Sequence, residues 1–270
     1  MTKLKRLDKN PILTPRGYDW EALAVFNPAA IYLNGKIHLL YRAIGEYEYY
    51  ISRIGHAIFD EDLNLVERKE KPLLEPDFEV WWEKSIEDAR LTLLDGELYM
   101  SYVITITPTP PAGVRLRLGL RKPKQVITRI GIAKVDKDFK KVTRLGIVTP
   151  VELDERDFVI FPERINGRVA VLHRPSRWVG AKYKVNKPSI WFAYLDEKSF
   201  SLYSHKVVME PEEDWEDYKI GAGSPPVKVE EGWLLIYHGV DRNRCYRAGA
   251  VLLDLKEPWK VTVISHDFTI

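Results

Sequence analysis

Short runs of alternating apolar and polar residues dominate this chain. Two of them, Ile51–Leu63 and Ile127–Phe139, are near-copies of each other. The period of two is that of a strand with one buried face. A strand pattern that returns at a long, regular interval predicts the blades of a β-propeller or a similar radial array, because every blade repeats one set of strands.

Turn signals divide the chain into four units. Each unit has a strand, a tight turn and another strand, and the turn glycines are Gly35, Gly96, Gly167 and Gly232. The first three follow Asn or Asp, as two-residue hairpin turns prefer, since both turn positions need positive φ. Glu231 before Gly232 is a weaker version of the signal.

Proline-containing apolar segments are predicted to close these units. They are Lys71–Pro76, Gly146–Pro150 and Val207–Pro211, and Val261–Ser265 is expected to be a last outer strand. Asn10–Pro15 has the same form and is predicted to be an N-terminal closing strand. Such a strand implies a further blade whose inner strands are not visible. A four-bladed ring and an incomplete last blade therefore stay open. Residues 1–270 are expected to form a single propeller domain.

Composition narrows the class of function. Lys and Arg number 41 against 39 Asp and Glu, a net charge of +2, so no nucleic-acid partner is expected. The one cysteine, Cys245, fits a reducing compartment, and no zinc pattern accompanies it. The charged start of the chain has no apolar signal region, and no stretch is long enough to span a membrane. We expect a cytoplasmic protein without a metal or a membrane partner.

One insertion interrupts the repeat. Thr107–Lys124 contains four prolines and a series of Arg and Lys residues, where a tight turn would suffice. Long insertions in compact domains are usually functional lids or disordered tips. A lid, an idle loop and a contact surface for a homo-oligomer all stay open.

Polar residues recur where the inner strand of each unit begins or ends. They include Asn27, Arg42, Glu87, Asp88, Arg156, Asp157, Arg174, Lys219 and His238. Charges inside a propeller cost desolvation unless they pair or line a wet channel. A salt bridge between blades, such as Glu163 with Arg174, explains single residues equally well. As a set, an acid among Arg, Lys and His is what binding an anion and transferring a proton require.

Aromatic residues outside the strand alternation suit a sugar ligand. Trp81 and Trp82 precede Asp88, and three tyrosines, Tyr47, Tyr49 and Tyr50, follow Arg42. Flat apolar faces beside hydrogen-bonding groups fit pyranose rings. Simple packing on the rim of the propeller explains each of them equally well.

Five segments, in this order, resemble glycoside hydrolase family 130. They are Ser85–Arg90, Phe161–Gly167, His173–Pro175, Lys219–Gly223 and Gly232–Gly239. This family contains five-bladed β-propeller enzymes, mostly phosphorylases of β-mannosides with some β-mannosidases. Ala89 stands where the family usually has Pro. Family members continue into a fifth blade whose Asp is thought to bind mannose, which this sequence does not reach, so an incomplete last blade is expected.

The resemblance implies a role for each polar residue. Asp88 matches the general acid, thought to protonate the glycosidic oxygen through the 3-hydroxyl of mannose. The positions that hold phosphate in the phosphorylases are matched by Arg156, Arg174, Lys219 and His238, with Tyr246 a weaker match. Asn27 and Arg42 match positions near the mannose.

The cationic set favours phosphorolysis. Fixed cations desolvate and orient phosphate, and Arg binds oxyanions bidentately, whereas inverting hydrolysis needs a second carboxylate as base. We predict inverting phosphorolysis of β-1,2- or β-1,4-linked mannosyl oligosaccharides to α-mannose 1-phosphate, with inorganic phosphate as co-substrate and no cofactor. A β-mannosidase and a non-catalytic glycan-binding propeller are the alternatives.

Overall fold

The computed structural model describes residues 7–80, 82–106, 127–148 and 154–265. Within these ranges the regular structure is β-strand apart from one 3-10 turn at Asp214–Glu216. No helix found there is long and apolar enough to cross a membrane. The Thr107–Lys124 insertion lies outside the described residues.

The strands form four antiparallel sheets, which we number as blades in chain order. Blade 1 consists of β1 Ala24–Leu33, β2 Lys36–Ile44, β3 Ser52–Phe59 and β4 Leu65–Arg68. Blade 2 consists of β5 Glu83–Leu94, β6 Glu97–Ile106, β7 Ile127–Val135 and β8 Val142–Ile147. Blade 3 consists of β9 Glu155–Ile160, β10 Ala170–Pro175, β11 Ile190–Leu195 and β12 Leu202–Met209. Blade 4 consists of β13 Lys219–Ala222, β14 Val227–Val229, β15 Gly232–Val240, β16 Tyr246–Leu253 and β17 Val261–Ser265.

The blades are arranged as in a propeller, which confirms the predicted all-β class and the four repeats. The first strands of blades 1 to 4 contact one another in chain order. Each blade runs outward from its first strand through successive hairpins, and in blade 4 the short β14 pairs with β15 beside β13. Polar groups at the starts of the inner strands are thereby brought close together.

Apolar wedges fill the spaces between neighbouring blades. Ile54 and Met100 belong to the wedge between blades 1 and 2, and Ile130 and Phe158 to the next. Between blades 3 and 4, the rings of Phe161 and Trp233 meet edge to face with centroids 5.3 Å apart. Burial of such side chains is the main stabilising term, at roughly 1.5–3 kcal/mol each.

The sequence repeat has a packing reason. Its copies form β3 and β7, the third strands of blades 1 and 2. Gly55 faces Tyr41 across the strand pair, and Gly131 faces Tyr102 in the same way. A Cβ at either glycine would lie 2.3 Å from the tyrosine ring. Each glycine therefore leaves the space that the ring of the neighbouring strand fills.

The predicted hairpin turns are confirmed in three blades. Positive φ occurs at both positions of Asn34–Gly35, Asp95–Gly96 and Asn166–Gly167, with values between 50° and 80°. In blade 4 the turn is Glu230–Glu231, and Gly232 is instead the first residue of β15. The weaker sequence signal there corresponds to a different turn conformation.

The prediction of a strand at Asn10–Pro15 is wrong. This segment is irregular and packs against blade 1 through Ile12 and Leu13. Arg68 Nη1 donates to the carbonyl of Thr14 at 2.8 Å. The segment has a proline at position 11 and another at position 15, and proline has no N–H to contribute to a ladder.

The predicted position of the outer strand of blade 1 is also wrong. It is β4, and Lys71–Pro76 makes only a single bridge, between Leu74 and Ile54. The β8 and β12 strands begin before the predicted Gly146–Pro150 and Val207–Pro211 segments and overlap them. The predicted strand Val261–Ser265 is confirmed as β17.

Blade 1 has an uncovered inner strand. Asn27, Pro28, Ala30 and Tyr32 of β1 are exposed, whereas β5 is buried along most of its length. Among the described strands, blade 4 makes at most marginal contact with blade 1. The described part of the ring is therefore open between blades 4 and 1.

A stacked pair of histidines lies between blades 1 and 2. His38 Nδ1 and His56 Nε2 are 3.1 Å apart, and both rings stack on Phe139, with centroids 4.2 and 4.6 Å from it. His56 is fully buried. Burial, with help from the neighbouring His38 and Lys69, lowers the pKa of His56 to about 4 from an ordinary 6.5.

We predict that this pair makes the fold sensitive to acid. The unfolded chain takes up a proton near pH 6.5 and the folded chain only near 4, so stability falls as the pH drops through that window. The full loss from His56 approaches about 3 kcal/mol. Urea unfolding at pH 7.5, 6 and 5 gives the free energy of unfolding at each pH. In the His56→Gln variant, this free energy should fall less as the pH drops. An identical pH dependence in the variant would contradict this prediction.

Candidate active site

Three inner strands carry the same backbone irregularity. Asn27 in β1, Asp88 in β5 and Asp157 in β9 have φ of 47°, 50° and 53°, and the strand register shifts at each of them. These are β-bulges, which re-aim side chains. Asn and Asp tolerate the left-handed conformation better than other residues with a Cβ. The bulges turn one polar side chain from each of three blades toward a common region.

Asp88 is held by residues of the neighbouring blade. Asn27 Nδ2 donates to Asp88 Oδ1 at 2.9 Å, and Arg42 Nη1 lies 3.4 Å from the same oxygen. The Asp88 side chain is 16% exposed, so a ligand can reach it. The structure therefore brings together the predicted acid and both predicted sugar-binding residues.

Glu87 connects this acid to the cationic side of the site. Its Oε1 accepts from Arg42 Nη2 at 2.8 Å, and its Oε2 lies 3.4 Å from Arg156 Nη1. Glu87 belongs to the polar set predicted from the sequence, but no role was predicted for it. In a regular strand, two neighbouring acids point to opposite faces of the sheet. The bulge at Asp88 breaks this alternation, so both acids can reach the site. The position of Glu87 next to Asp88 was therefore the only sign of its role in the sequence.

The two arginines of blade 3 are cross-strand neighbours. Arg156 in β9 pairs in register with Arg174 in β10. Arg174 Nε donates to Asp157 Oδ2 at 2.5 Å, and its Nη1 donates to Ser176 Oγ at 3.0 Å. Burial lowers the pKa of Arg156, but Glu87 and three nearby aspartates outweigh it and raise the pKa above its ordinary value. Both side chains are fixed cations.

Blade 4 contributes the remaining predicted anion ligands. The Lys219 Nζ lies 5.3 Å from the centre of the Tyr246 ring, and the His238 ring lies 5.6 Å from the same ring. His238 Nε2 is 3.5 Å from Asp157 Oδ2, which links this group to Arg174. Tyr246 is 61% exposed. All five predicted phosphate-binding residues therefore belong to one continuous cluster.

Asp157 is the central carboxylate of this cluster, and the sequence offered no role for it. Its side chain is 9% exposed. Burial raises its pKa, but the Arg174 guanidinium and the His238 imidazole together hold the pKa well below its usual range, so the group is an anion. Gly221, in the strand that faces this carboxylate, leaves the space that it fills. A Cβ at Gly221 would lie 2.0 Å from Asp157 Oδ2.

The structure settles the pairing of Glu163 and places two of the three tyrosines that follow Arg42. Glu163 does not pair with Arg174 but with Lys228, at 2.5 Å. The exposed Tyr47 and Tyr50 rings stack with centroids 6.4 Å apart, and Tyr50 lies 5.9 Å from the Arg42 guanidinium. These rings therefore border the acid side of the site.

Trp82 is partly buried and packs against the wedge between blades 1 and 2. Trp81 lies outside the described residues.

The arrangement combines one reachable carboxylate with a group of fixed cations. Of the three carboxylates, Asp88 is the most exposed, and Glu87 and Asp157 are each bound by two basic side chains, so Asp88 is the candidate acid. Within the described ranges, no three His, Cys, Asp or Glu side chains are grouped so as to hold a metal ion. Such a site can bind an oxyanion next to a proton donor.

Comparison with known proteins finds relatives along almost the whole chain. A family model described as beta-1,4-mannooligosaccharide phosphorylase, of glycoside hydrolase family 130, matches residues 3–269. A 1,2-beta-oligomannan phosphorylase of Thermoanaerobacter sp. (strain X514) is 40% identical over 270 residues, or 97% of this chain and 80% of that protein. A beta-1,2-mannobiose phosphorylase of the same organism is 38% identical over 277 residues, with the same shares covered.

The fold is shared with solved structures of similar enzymes. A beta-1,2-mannobiose phosphorylase from Listeria innocua, solved as a complex with beta-1,2-mannobiose, superposes with a TM-score of 0.68 at 24% identity, covering 96% of this chain and 82% of that one. At this identity the superposition supports the fold alone. The family-model match and the 40% identity go further, and by them the chain belongs to glycoside hydrolase family 130.

Proposed function

We propose that this protein is an inverting β-mannoside phosphorylase, which uses inorganic phosphate to cleave mannosyl oligosaccharides and releases α-mannose 1-phosphate. The observation that carries the proposal is the cluster of Arg156, Arg174, Lys219 and His238, which Glu87 links through Arg156 and Arg42 to the acid Asp88. The names of the two Thermoanaerobacter relatives support the same reaction. The reaction needs phosphate as co-substrate and no further cofactor.

Asp88 is the general acid in this proposal. Asn27 and Arg42 both contact its Oδ1, and among the described residues nothing donates to Oδ2. Oδ2 is therefore the oxygen that carries the proton. The proton passes to the glycosidic oxygen, through the 3-hydroxyl of mannose as the family resemblance implies. The leaving sugar departs as an alcohol, and Asp88 becomes a carboxylate that Arg42 stabilises.

The cations supply the nucleophile. Phosphate is a poor nucleophile in water, and fixed Arg and Lys side chains strip its hydration and hold it near the anomeric carbon. A phosphate oxygen forms the new bond to that carbon from the face opposite the leaving oxygen. The carbon–oxygen bond to the leaving sugar breaks as this bond forms, so the configuration inverts.

The state of Glu87 argues against direct hydrolysis. An inverting hydrolase needs a second carboxylate free to activate water. Glu87 is 8% exposed and lies between Arg42 and Arg156, so both of its oxygens are occupied. Phosphorolysis is favoured over a β-mannosidase, because phosphate arrives already anionic and needs no base.

The linkage we propose is β-1,2. Both relatives that match 97% of this chain are named for β-1,2-linked substrates, whereas the family description names β-1,4-linked ones. The identity of the acceptor sugar depends on the loops around Tyr47 and Tyr50, which border the acid side of the site.

The complete ring is proposed to be of the five-bladed type. The exposed β1 strand and the open space between blades 4 and 1 support a further blade there. A strand from that blade would cover Pro28 and Ala30 and border the sugar side next to Asn27. We further propose that the chain folds as one propeller domain and acts in the cytoplasm.

The reaction and the linkage can be tested together. We expect mannose 1-phosphate from β-1,2-mannobiose, and less or none from β-1,4-mannobiose, only when phosphate is present. Chromatography of mannose and mannose 1-phosphate measures both outcomes. Free mannose at the same rate with and without phosphate would make the protein a β-mannosidase. Sugar binding without any product would favour the glycan-binding propeller.

Loss of the acid should abolish turnover and spare the fold. We expect Asp88→Asn to lower kcat by about 10²–10⁴-fold, since an amide cannot supply the proton. The free energy of unfolding should change by less than about 1 kcal/mol, because the Asn retains an oxygen for Asn27 and Arg42. Asp138→Asn, at an exposed turn, is the matched control and should keep full activity. Unchanged turnover in Asp88→Asn would remove Asp88 from this role.

Removing a side chain that binds phosphate should change the KM for phosphate only. We expect Arg174→Ala to raise the phosphate KM by about tenfold or more, because a charge-assisted contact to the oxyanion is lost. Arg164→Ala removes an exposed arginine paired with Asp95 and Glu197 and is the control. An equal phosphate KM in the two variants would exclude Arg174 from the anion site.

A further inference from the structure

Asp157 is a carboxylate in the middle of a site proposed to bind an anion. Its charge repels phosphate, so its presence needs a physical reason. We propose that Asp157 is a positioning residue, whose carboxylate holds Arg174 and His238 in the orientation in which both face the phosphate. This inference rests on the proposed function and assigns a role to a residue that contacts the ligands of phosphate.

The contacts of Arg174 show how its orientation is set. Its Nε donates to Asp157 Oδ2 at 2.5 Å and its Nη1 to Ser176 Oγ at 3.0 Å. Two acceptors on different nitrogens fix the plane of the guanidinium. The described residues provide no acceptor for Nη2, so this nitrogen is available to an oxyanion. The Arg174 side chain is 3% exposed, so it is packed within this cluster.

The same carboxylate connects two blades. Arg174 belongs to blade 3 and His238 to blade 4, yet both contact Asp157 Oδ2. The distance between Arg174 and His238, two of the side chains proposed to bind phosphate, therefore depends on one oxygen atom. Side chains that are already oriented in the free protein bind an anion more tightly, because binding does not have to order them.

The backbone on both sides is adapted to this carboxylate. Asp157 lies at a bulge with φ of 53°, which turns its side chain toward blade 4. On the facing strand, Gly221 pairs with His238 and leaves the space that Asp157 Oδ2 occupies, since a Cβ there would be 2.0 Å away. A carboxylate that served only as a counter-ion would not require a glycine opposite it.

Three single variants and one double variant test the inference in the intact chain. Asp157→Ala should raise the phosphate KM about tenfold or more. The KM for mannobiose should change by less than about threefold, because the lost carboxylate orients only the side chains that bind phosphate. Asp157→Asn keeps an oxygen for Arg174 Nε and should stay within about threefold of the wild type. Gly221→Ala should raise the phosphate KM at least as much as Asp157→Ala does, since its methyl group would lie 2.0 Å from Asp157 Oδ2 and 2.9 Å from His238 Cε1 and so displaces both side chains.

The double variant Asp157→Ala with Gly221→Ala checks that these two residues act on one another. Once the carboxylate is absent, the added methyl meets only His238 Cε1, which would be 2.9 Å away, so the loss in the double variant should be smaller than the two single losses multiplied. Losses that multiply in the double variant would show two independent sites and would contradict the inference.

A structural control separates positioning from general stability. Glu83 is buried and accepts from Arg144 Nη1 at 2.8 Å, away from the site. Glu83→Ala removes a comparable ion pair and should lower stability without changing the phosphate KM. Isothermal titration with inorganic phosphate gives Kd values for each variant independently of turnover.

The outcomes distinguish this inference from the proposed function. Absence of mannose 1-phosphate with the wild type would refute the phosphorylase. Normal wild-type phosphorolysis, with Asp157→Ala equal to the wild type in phosphate KM and Kd, would refute only the role of Asp157. If Asp157→Ala does not fold, a folded Gly221→Ala with wild-type phosphate KM and Kd refutes that role in its place.

Discussion

The site depends on ion pairs that each reach from one blade to the next. Asp88 of blade 2 is contacted by Asn27 and Arg42 of blade 1, and Glu87 extends the chain of contacts to Arg156 of blade 3. Asp157 of blade 3 then contacts His238 of blade 4. Because each of these contacts joins two blades, the geometry of the site depends on the angles at which the blades pack, and the apolar wedges between blades set those angles.

These pairs also solve the problem of keeping charge near an apolar interior. An unpaired charge with little exposure costs several kcal/mol, and a pair recovers that cost only when its geometry is good. Among the residues that the structure describes, these contacts leave two atoms without a partner, namely Oδ2 of Asp88 and Nη2 of Arg174. The same contacts that make the charges tolerable thus select the atoms that can act on a ligand.

Strain at the inner strands accompanies this arrangement. Asn27, Asp88 and Asp157 all hold a left-handed backbone, which costs about 1–3 kcal/mol at each residue. The repetition in three blades indicates that a bulge at this point is how the propeller turns a side chain from the plane of a blade toward the centre.

The sequence by itself determined the class of fold, the four repeats, the three Asn-Gly and Asp-Gly hairpins and the set of polar residues that meet. These follow from alternation and local φ preferences, which act over a few residues. Only the tertiary structure decided that Asn10–Pro15 is not a strand, that Glu163 pairs with Lys228, and that Glu87 and Asp157 organise the site. A bulge reverses the side-chain phase of a strand, and a pair between blades joins residues far apart in sequence, so neither can be read from local pattern.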